Sequence, residues 1–177
     1  EPRPGGWNPA ARVKEMAVDG VSAEVVYPTL GLRLFGMEDA PLQQACFRAY
    51  NDWLIEYSQA APDRLFGVAL ISAYDIKHAV SELERCSNAG LQGGMLWQAP
   101  HPDLPFTSDH YDRFWAAAQD LEMPISLHIL TGFDYSRNLG KLEGLDHYRG
   151  AVNLKLAGIM NSVFDLVFNG VLDRFPR

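Results

Sequence analysis

The stretch AGLQGGMLWQ, residues 89–98, decides the fold. Its glycine cluster leads from the end of a helical pattern into an apolar strand. A dinucleotide-binding fold needs the opposite order, with a glycine-rich turn running from a strand into a helix so that phosphates meet the helix N-terminus. A P-loop pattern is absent as well, so this α/β chain has to be of another kind, and the flanking segments say which.

Upstream of the cluster, Ile76, Ala79, Val80, Leu83 and Cys86 make one apolar helix face that Gly90 closes. Before that helix, LFGVALI (65–71) is a continuous apolar run between turn signals, as a strand buried on both faces requires. PLQQACFRAYNDWLIEYSQA (41–60) repeats Leu42, Ala45, Cys46, Ala49, Trp53, Leu54 and Tyr57 at helical spacing. Still earlier, SAEVVYPT (22–29) reads as a strand ended by Pro28. It is preceded by a helix with Asn8 as N-cap, Pro9 in the first turn and Gly20 as its stop. Downstream, residues 107–122 read as a helix capped by Thr107 or Ser108, with Asp109 and Asp112 favoured in its first turn. MPISLHIL (123–130) is a further strand, a polar segment runs from Thr131 to about Val152, and a last helix covers roughly 153–173 before Pro176. The predicted strands are 23–27, 66–71, 94–97 and 125–129, parallel neighbours in that order.

Buried parallel strands alternating with amphipathic helices define an α/β protein. The (β/α)8 barrel needs eight strands and about 250 residues. These 177 residues supply four good strands, so the expectation is one incomplete barrel domain over 1–177, the middle of a TIM barrel.

Apolar residues make up 47% and charged residues 21%, which suits a globular protein, and the formal charge of −7 argues against nucleic-acid or anionic-membrane surfaces. The greasiest run, VFDLVFNGVL, is broken by Asp165 and Asn169 and falls short of a membrane span. Cys46 and Cys86 lie inside helical patterns as small hydrophobes. With no signal peptide in view, a cytoplasmic location is expected.

Barrel active sites gather at the C-terminal ends of strands. Those ends carry Tyr27 and Thr29, then Ser72 and Tyr74, then Trp97, Gln98 and His101, then His128 and Thr131. An imidazole at a strand end can hold a metal through one nitrogen while the other is held by an acceptor; it can equally be a core histidine bonded to a carbonyl. His128 stays open between these on residues alone, because zinc-type sites need three or four ligands and no HxH, HExxH or CxxC occurs. His101 reads as a loop residue and His78 as solvated, while His110 and His147 lack a partner pattern. No G-x-S-x-G nucleophile motif is present. Arg12 can fork onto a carboxylate or stay solvated. The long segment after His128 has the length of a lid.

WNPAARVKEMAVDGVSAEVVYPTLG, CFRAYNDWLIEYSQAAPDRLFGVALI, MPISLHILTG and NGVLDRFPR together resemble the amidohydrolase-related family. That metal-dependent barrel group includes aminocarboxymuconate-semialdehyde decarboxylase and related aromatic-acid decarboxylases. The resemblance runs from about Gly5 to Arg177. It implies a divalent metal, zinc first and manganese second, held by a first-strand ligand pair, a histidine ending the fifth strand and an aspartate on the eighth. His128 matches the fifth-strand histidine and Arg12 an arginine that binds a substrate carboxylate, with Trp97 at the same mouth as a further substrate-binding residue. The four strands would be the second to fifth of the barrel, with the other ligands outside this chain. The implied activity is non-oxidative decarboxylation of a small unsaturated or aromatic carboxylic acid. The alternatives are metal-dependent hydrolysis of a small amide, lactone or ester, and a non-catalytic barrel piece acting by binding or assembly. Finally, Leu156, Ile159, Met160, Val163, Phe164, Val167, Phe168, Val171 and Leu172 wrap further around the last helix than one sheet contact requires. A homodimer through that helix is therefore expected.

Overall fold

Four strands form one parallel sheet in chain order: β1 (Glu24–Val26), β2 (Leu65–Leu70), β3 (Gly93–Ala99) and β4 (Ile125–Gly132). The computed structural model describes residues 3–132 and 144–177, with side chains in the second segment from 156 onward. Between the strands run α1 (Pro9–Val18), α2 (Ala40–Gln59), α3 (Ile76–Asn88) and α4 (Asp112–Asp120), followed by α5 (Gly144–Phe168) and the short α6 (Val171–Arg174). The result is the predicted α/β arrangement, part of a (β/α)8 barrel.

Local chemistry sets the boundaries. Asn8 caps α1 by accepting from the Ala11 amide at 3.1 Å, and Pro9 occupies the first turn. Asp39 and Asp75 cap α2 and α3 in the same way. Gly90 ends α3 at φ 94°, a conformation in which a side chain is strained. The expected cap of the fourth helix is different. Ser108 Oγ donates back to the Pro105 carbonyl at 2.9 Å, and a 3-10 turn (Asp109–Tyr111) leads into α4.

Register assigns the two faces of the sheet. A Cβ on Gly67 would meet Leu54 and Ser58 of α2, and one on Gly94 would meet Leu83 of α3, so these positions face the helices. Their partners Val26 and Ile125, and Glu24 two residues before Val26, share that outer side. Val25, Leu70, Met95, Trp97, Ser126 and His128 consequently face the barrel interior. Both faces are filled, as a parallel sheet demands: Leu70, Met95 and Trp97 inside and Leu54, Leu83 and Cys86 outside are all buried.

β1 stops at Val26, before Pro28, and leaves the Leu70 N–H and C=O without a β1 partner, although Leu70 stays in register with Met95 of β3. Asn51 of α2 takes that place. Its Oδ1 accepts the Leu70 N–H at 2.8 Å and its Nδ2 donates to the Leu70 carbonyl at 3.0 Å and to Glu82 Oε1 at 2.9 Å. Arg85 and Arg48 complete the shell of Glu82 at 2.6 and 3.2 Å. Burial pushes the Glu82 carboxyl up, but hydrogen bonds from Arg85 and Asn51 and the arginine charges outweigh it and hold it below its ordinary value.

Two boundaries depart from expectation. β4 continues to Gly132, and the last helix begins at Gly144, so the polar connection expected over 131–152 narrows to 133–143, which lies outside the described residues with any lid there. The last helix also breaks at Gly170, φ 66°.

Candidate functional site

The C-terminal end of β4 is irregular where His128 stands. Trp97 pairs with His128, but the next pair is Ala99 with Gly132, so β4 carries two extra residues. Leu130 accommodates them at φ 75°, a left-handed conformation that a leucine adopts under strain. Thr131 repairs the interrupted ladder with its side chain: Oγ1 accepts the Gln98 N–H at 2.7 Å and donates to the His128 carbonyl at 2.5 Å. Pairing resumes at Gly132, where a Cβ would lie 2.6 Å from the Ala99 Cβ.

His128 Nδ1 lies 2.5 Å from the Ile129 carbonyl. A carbonyl only accepts, so Nδ1 carries the proton, and in the neutral ring Nε2 keeps a lone pair. This is the tautomer a metal-ligating histidine needs. Against the imidazole lies the ring of Tyr27, at 5.6 Å between centroids and tilted by 44°. The Tyr27 hydroxyl crosses the barrel interior to Ser126 Oγ at 2.8 Å.

Trp97 shares the His128 row and face. It is only 1% exposed, and its indole Nε1 donates to the Tyr111 hydroxyl at 3.1 Å, which donates in turn to the Leu104 carbonyl at 2.6 Å. Tyr74 packs edge-on against Trp97 at 4.9 Å and donates to the Met37 carbonyl at 2.9 Å. Burial pushes the Tyr74 and Tyr111 hydroxyls above the ordinary phenol value, so both remain protonated donors. His101 faces Tyr74 and accepts the Asp103 N–H at 3.1 Å, consistent with a loop role. His110 has a partner the sequence did not suggest: its Nε2 donates to the Ala73 carbonyl at 2.8 Å. The side chain of His147 lies outside the described residues.

Arg12 is placed differently. Its Nε donates to Glu24 Oε2 at 2.6 Å, and that bond is the main cause raising the guanidinium above its ordinary value. Glu24 points to the outer face of β1, opposite to Tyr27 and His128. Arg12 nevertheless lines a cleft of about 650 Å³ along the free edge of β1, together with Tyr27, Tyr50, Trp53 and Tyr57. The structure thus brings Tyr27 against His128, buries Trp97 on the same face of the sheet, and holds Arg12 on the other side of β1.

His128 fits a metal as one ligand. Among the described residues no group of three or more His, Cys, Asp and Glu gathers that could hold an ion. Ser126 and Tyr111 are the mouth residues that sequence reasoning passed over. Ser126 stands two positions before His128, and alternation along a strand would have put it on the same face.

The family model described as amidohydrolase matches residues 2–177. A decarboxylase, orsB of Emericella nidulans, is 32% identical over 149 residues, covering 77% of this chain and 43% of its own length. Among solved structures, an amidohydrolase from Mycobacterium avium subsp. paratuberculosis superposes with a TM-score of 0.82 at 22% identity, over 98% of this chain and 47% of that one. The 2,6-dihydroxybenzoate decarboxylase from Rhizobium gives 0.73 at 22%, covering 93% and 52%. The 5-carboxyvanillate decarboxylase from Novosphingobium aromaticivorans, with bound manganese, gives 0.76 at 20%, covering 93% and 46%. The chain therefore spans about half the length of the proteins it resembles. With the family match running through nearly all of its residues, this chain belongs to the amidohydrolase family.

Proposed function

We propose that the protein carrying this chain is a metal-dependent carboxy-lyase acting on a small aromatic or unsaturated carboxylic acid. The observation that carries the reading is His128, inward-facing where β4 begins to bulge, with Nδ1 held by a backbone carbonyl and Nε2 available to a metal. The decarboxylases to which the chain is similar support the reaction class. A divalent metal held there by His128 and ligands beyond the described residues would supply Lewis acidity and orientation. Manganese is the ion in the 5-carboxyvanillate decarboxylase; zinc suits an imidazole ligand equally.

The chain's own residues give the mouth its character. Trp97 and Tyr111 are buried with their polar atoms already bonded to one another or to backbone, so they back the mouth from the core, and the half-buried Tyr74 packed on Trp97 is what can offer aromatic surface to a ring. Tyr27 and His128 form the polar side. Arg12 receives a substrate carboxylate only on the nitrogens that its Glu24 pair leaves open. In the reaction the bond between the carboxylate and its carbon breaks, CO₂ leaves, and a proton from solvent takes its place on that carbon.

The test uses full-length protein loaded with Mn²⁺ or Zn²⁺ and a panel of hydroxylated benzoates in D₂O. CO₂ release with one deuterium at the vacated carbon is expected. His128→Ala should lose bound metal and turnover together, and full metal occupancy in that variant would reject the assignment. The hydrolytic reading, favoured by the family's description, is recognised by a product with water added and no CO₂.

A homodimer through α5 belongs to the same proposal. Leu156, Met160, Phe164 and Phe168 are all more than half exposed. Light scattering should show a dimer at micromolar concentration that Phe164→Glu or Phe168→Glu dissociates; a monomer rules the interface out. A cytoplasmic location is proposed from the two free cysteines, Cys46 and Cys86. Among the described residues no helix is long and apolar enough to cross a membrane.

A further inference from the structure

We propose that Tyr27 is the positioning residue for His128, an inference that rests on reading His128 as a metal ligand. Tyr27 comes from the end of β1 and His128 from β4, which are the two outer strands of the sheet. The tyrosine spans the barrel interior between them. Its hydroxyl could hydrate at the mouth, where the residue is 40% exposed, but it is held at 2.8 Å by Ser126 Oγ instead. Fixing a half-exposed side chain opposes rotamer entropy and has to be matched by contacts.

Those contacts fall on two successive interior positions of one strand. Ser126 holds the hydroxyl, and two residues later the imidazole lies 5.6 Å from the phenol ring. The bond from Nδ1 to the Ile129 carbonyl defines which nitrogen is protonated, but a single bond to the next residue in sequence leaves the ring free to tip about it. Tyr27 blocks that motion from one side, and the serine tether keeps Tyr27 where it blocks. The arrangement matters more here than on a regular strand, because the backbone directly after His128 is the strained bulge at Leu130. A ligand on an irregular backbone depends on side-chain packing for its direction.

Groups that orient a ligating histidine typically contribute 10- to 100-fold in metal affinity. The experiment measures Mn²⁺ affinity of the full-length protein by competition with a chromophoric chelator, alongside the thermal midpoint. Tyr27→Leu should weaken Mn²⁺ binding at least about 10-fold. Tyr27→Phe, which keeps the ring and loses the tether, should weaken it less, and Ser126→Ala should match Tyr27→Phe. The double variant Tyr27→Phe/Ser126→Ala should be no worse than either single one. A Tyr27→Leu protein that melts earlier but binds Mn²⁺ like the wild type would overturn the inference and leave a packing role. If Tyr27→Leu fails to fold, equal affinities for wild type, Tyr27→Phe and Ser126→Ala overturn it instead. His128→Ala distinguishes the two levels: wild-type affinity there rejects the ligand reading itself, whereas loss there with none in the Tyr27 and Ser126 variants rejects only this inference. In the metal-free protein, imidazole ¹⁵N shifts should report one tautomer in the wild type and a mixture in Tyr27→Leu.

Discussion

Replacing Asn51 with leucine conserves volume and removes every polar contact by which α2 closes the end of β2. The Leu70 N–H and C=O, bonded to Asn51 at 2.8 and 3.0 Å, would be left buried without partners. Each such group costs about 1–3 kcal/mol, so Asn51→Leu should destabilise by about 2–6 kcal/mol. Glu82 loses the Asn51 donor at 2.9 Å but keeps Arg85 at 2.6 Å, so its charge stays compensated and adds little further. The assay is urea unfolding of the full-length protein, paired with hydrogen exchange at the Leu70 amide. Protection there should fall toward that of a surface amide. A loss below about 1 kcal/mol with Leu70 still protected would show that the asparagine does not stand in for the missing strand.

The same substitution has a pH signature whose sign follows from Glu82. Its folded carboxyl is held below the ordinary value, and unfolding restores that value. The unfolded chain therefore binds the extra proton as pH falls. The stability Glu82 contributes is complete above about pH 4.3 and drains away as pH drops through the lower folded value. Asn51→Leu deletes one of the bonds lowering that value. The variant's acid loss should begin at the same pH, be smaller, and level off at higher pH than in the wild type, and identical acid limbs would contradict the assigned role of Asn51.

A Cβ on Gly67 would lie 2.7 Å from Leu91 Cδ2 and 2.9 Å from both Leu54 Cγ and Ser58 Oγ, so Gly67→Ala should destabilise by about 1–3 kcal/mol in denaturant titration. Tyr111→Phe strands the Trp97 indole N–H and the Leu104 carbonyl, and should cost about 2–4 kcal/mol, read by denaturation and a change in tryptophan emission. Arg12→Gln breaks a half-exposed ion pair worth about 1 kcal/mol or less, so stability should barely change. If Arg12 also receives substrate, KM should rise with kcat preserved, and an unchanged KM removes it from the site.

The features that were legible in the sequence are those written in hydrophobic periodicity. Leu65–Leu70 and the β3 strand announce themselves as buried on both faces, and Ile76, Ala79, Leu83 and Cys86 mark the inner side of α3. Parallel order follows from that rhythm alone, whereas His128, expected to end its strand, stands four residues before the end of β4, at the start of its bulge. The 3-10 turn Leu30–Gly36 was missed, although Leu32 and Phe35, both buried, are spaced three apart as such a turn requires. The Arg12–Glu24 pair was invisible because it depends on how α1 leans on β1, and sequence separation carries no record of that angle.

The bulge at the end of β4 shows why the rest could not be read. Nothing in ILTG distinguishes a strand that stops at Ile129 from one that buckles and resumes at Gly132. The difference lies in long-range partners: the Gln98 amide that Thr131 accepts, and the room beside Ala99 that only a glycine fits. Leu130 is a poor residue for φ 75° and is held there by these bonds on either side of it. A regular strand would have continued the ladder past His128. The buckled one turns the carbonyls of His128 and Ile129 to side chains, one to Thr131 Oγ1 and the other to the imidazole itself. The irregularity that hides from sequence is thus what leaves the Ile129 carbonyl within reach of Nδ1, and with it the free Nε2 on which the metal reading depends.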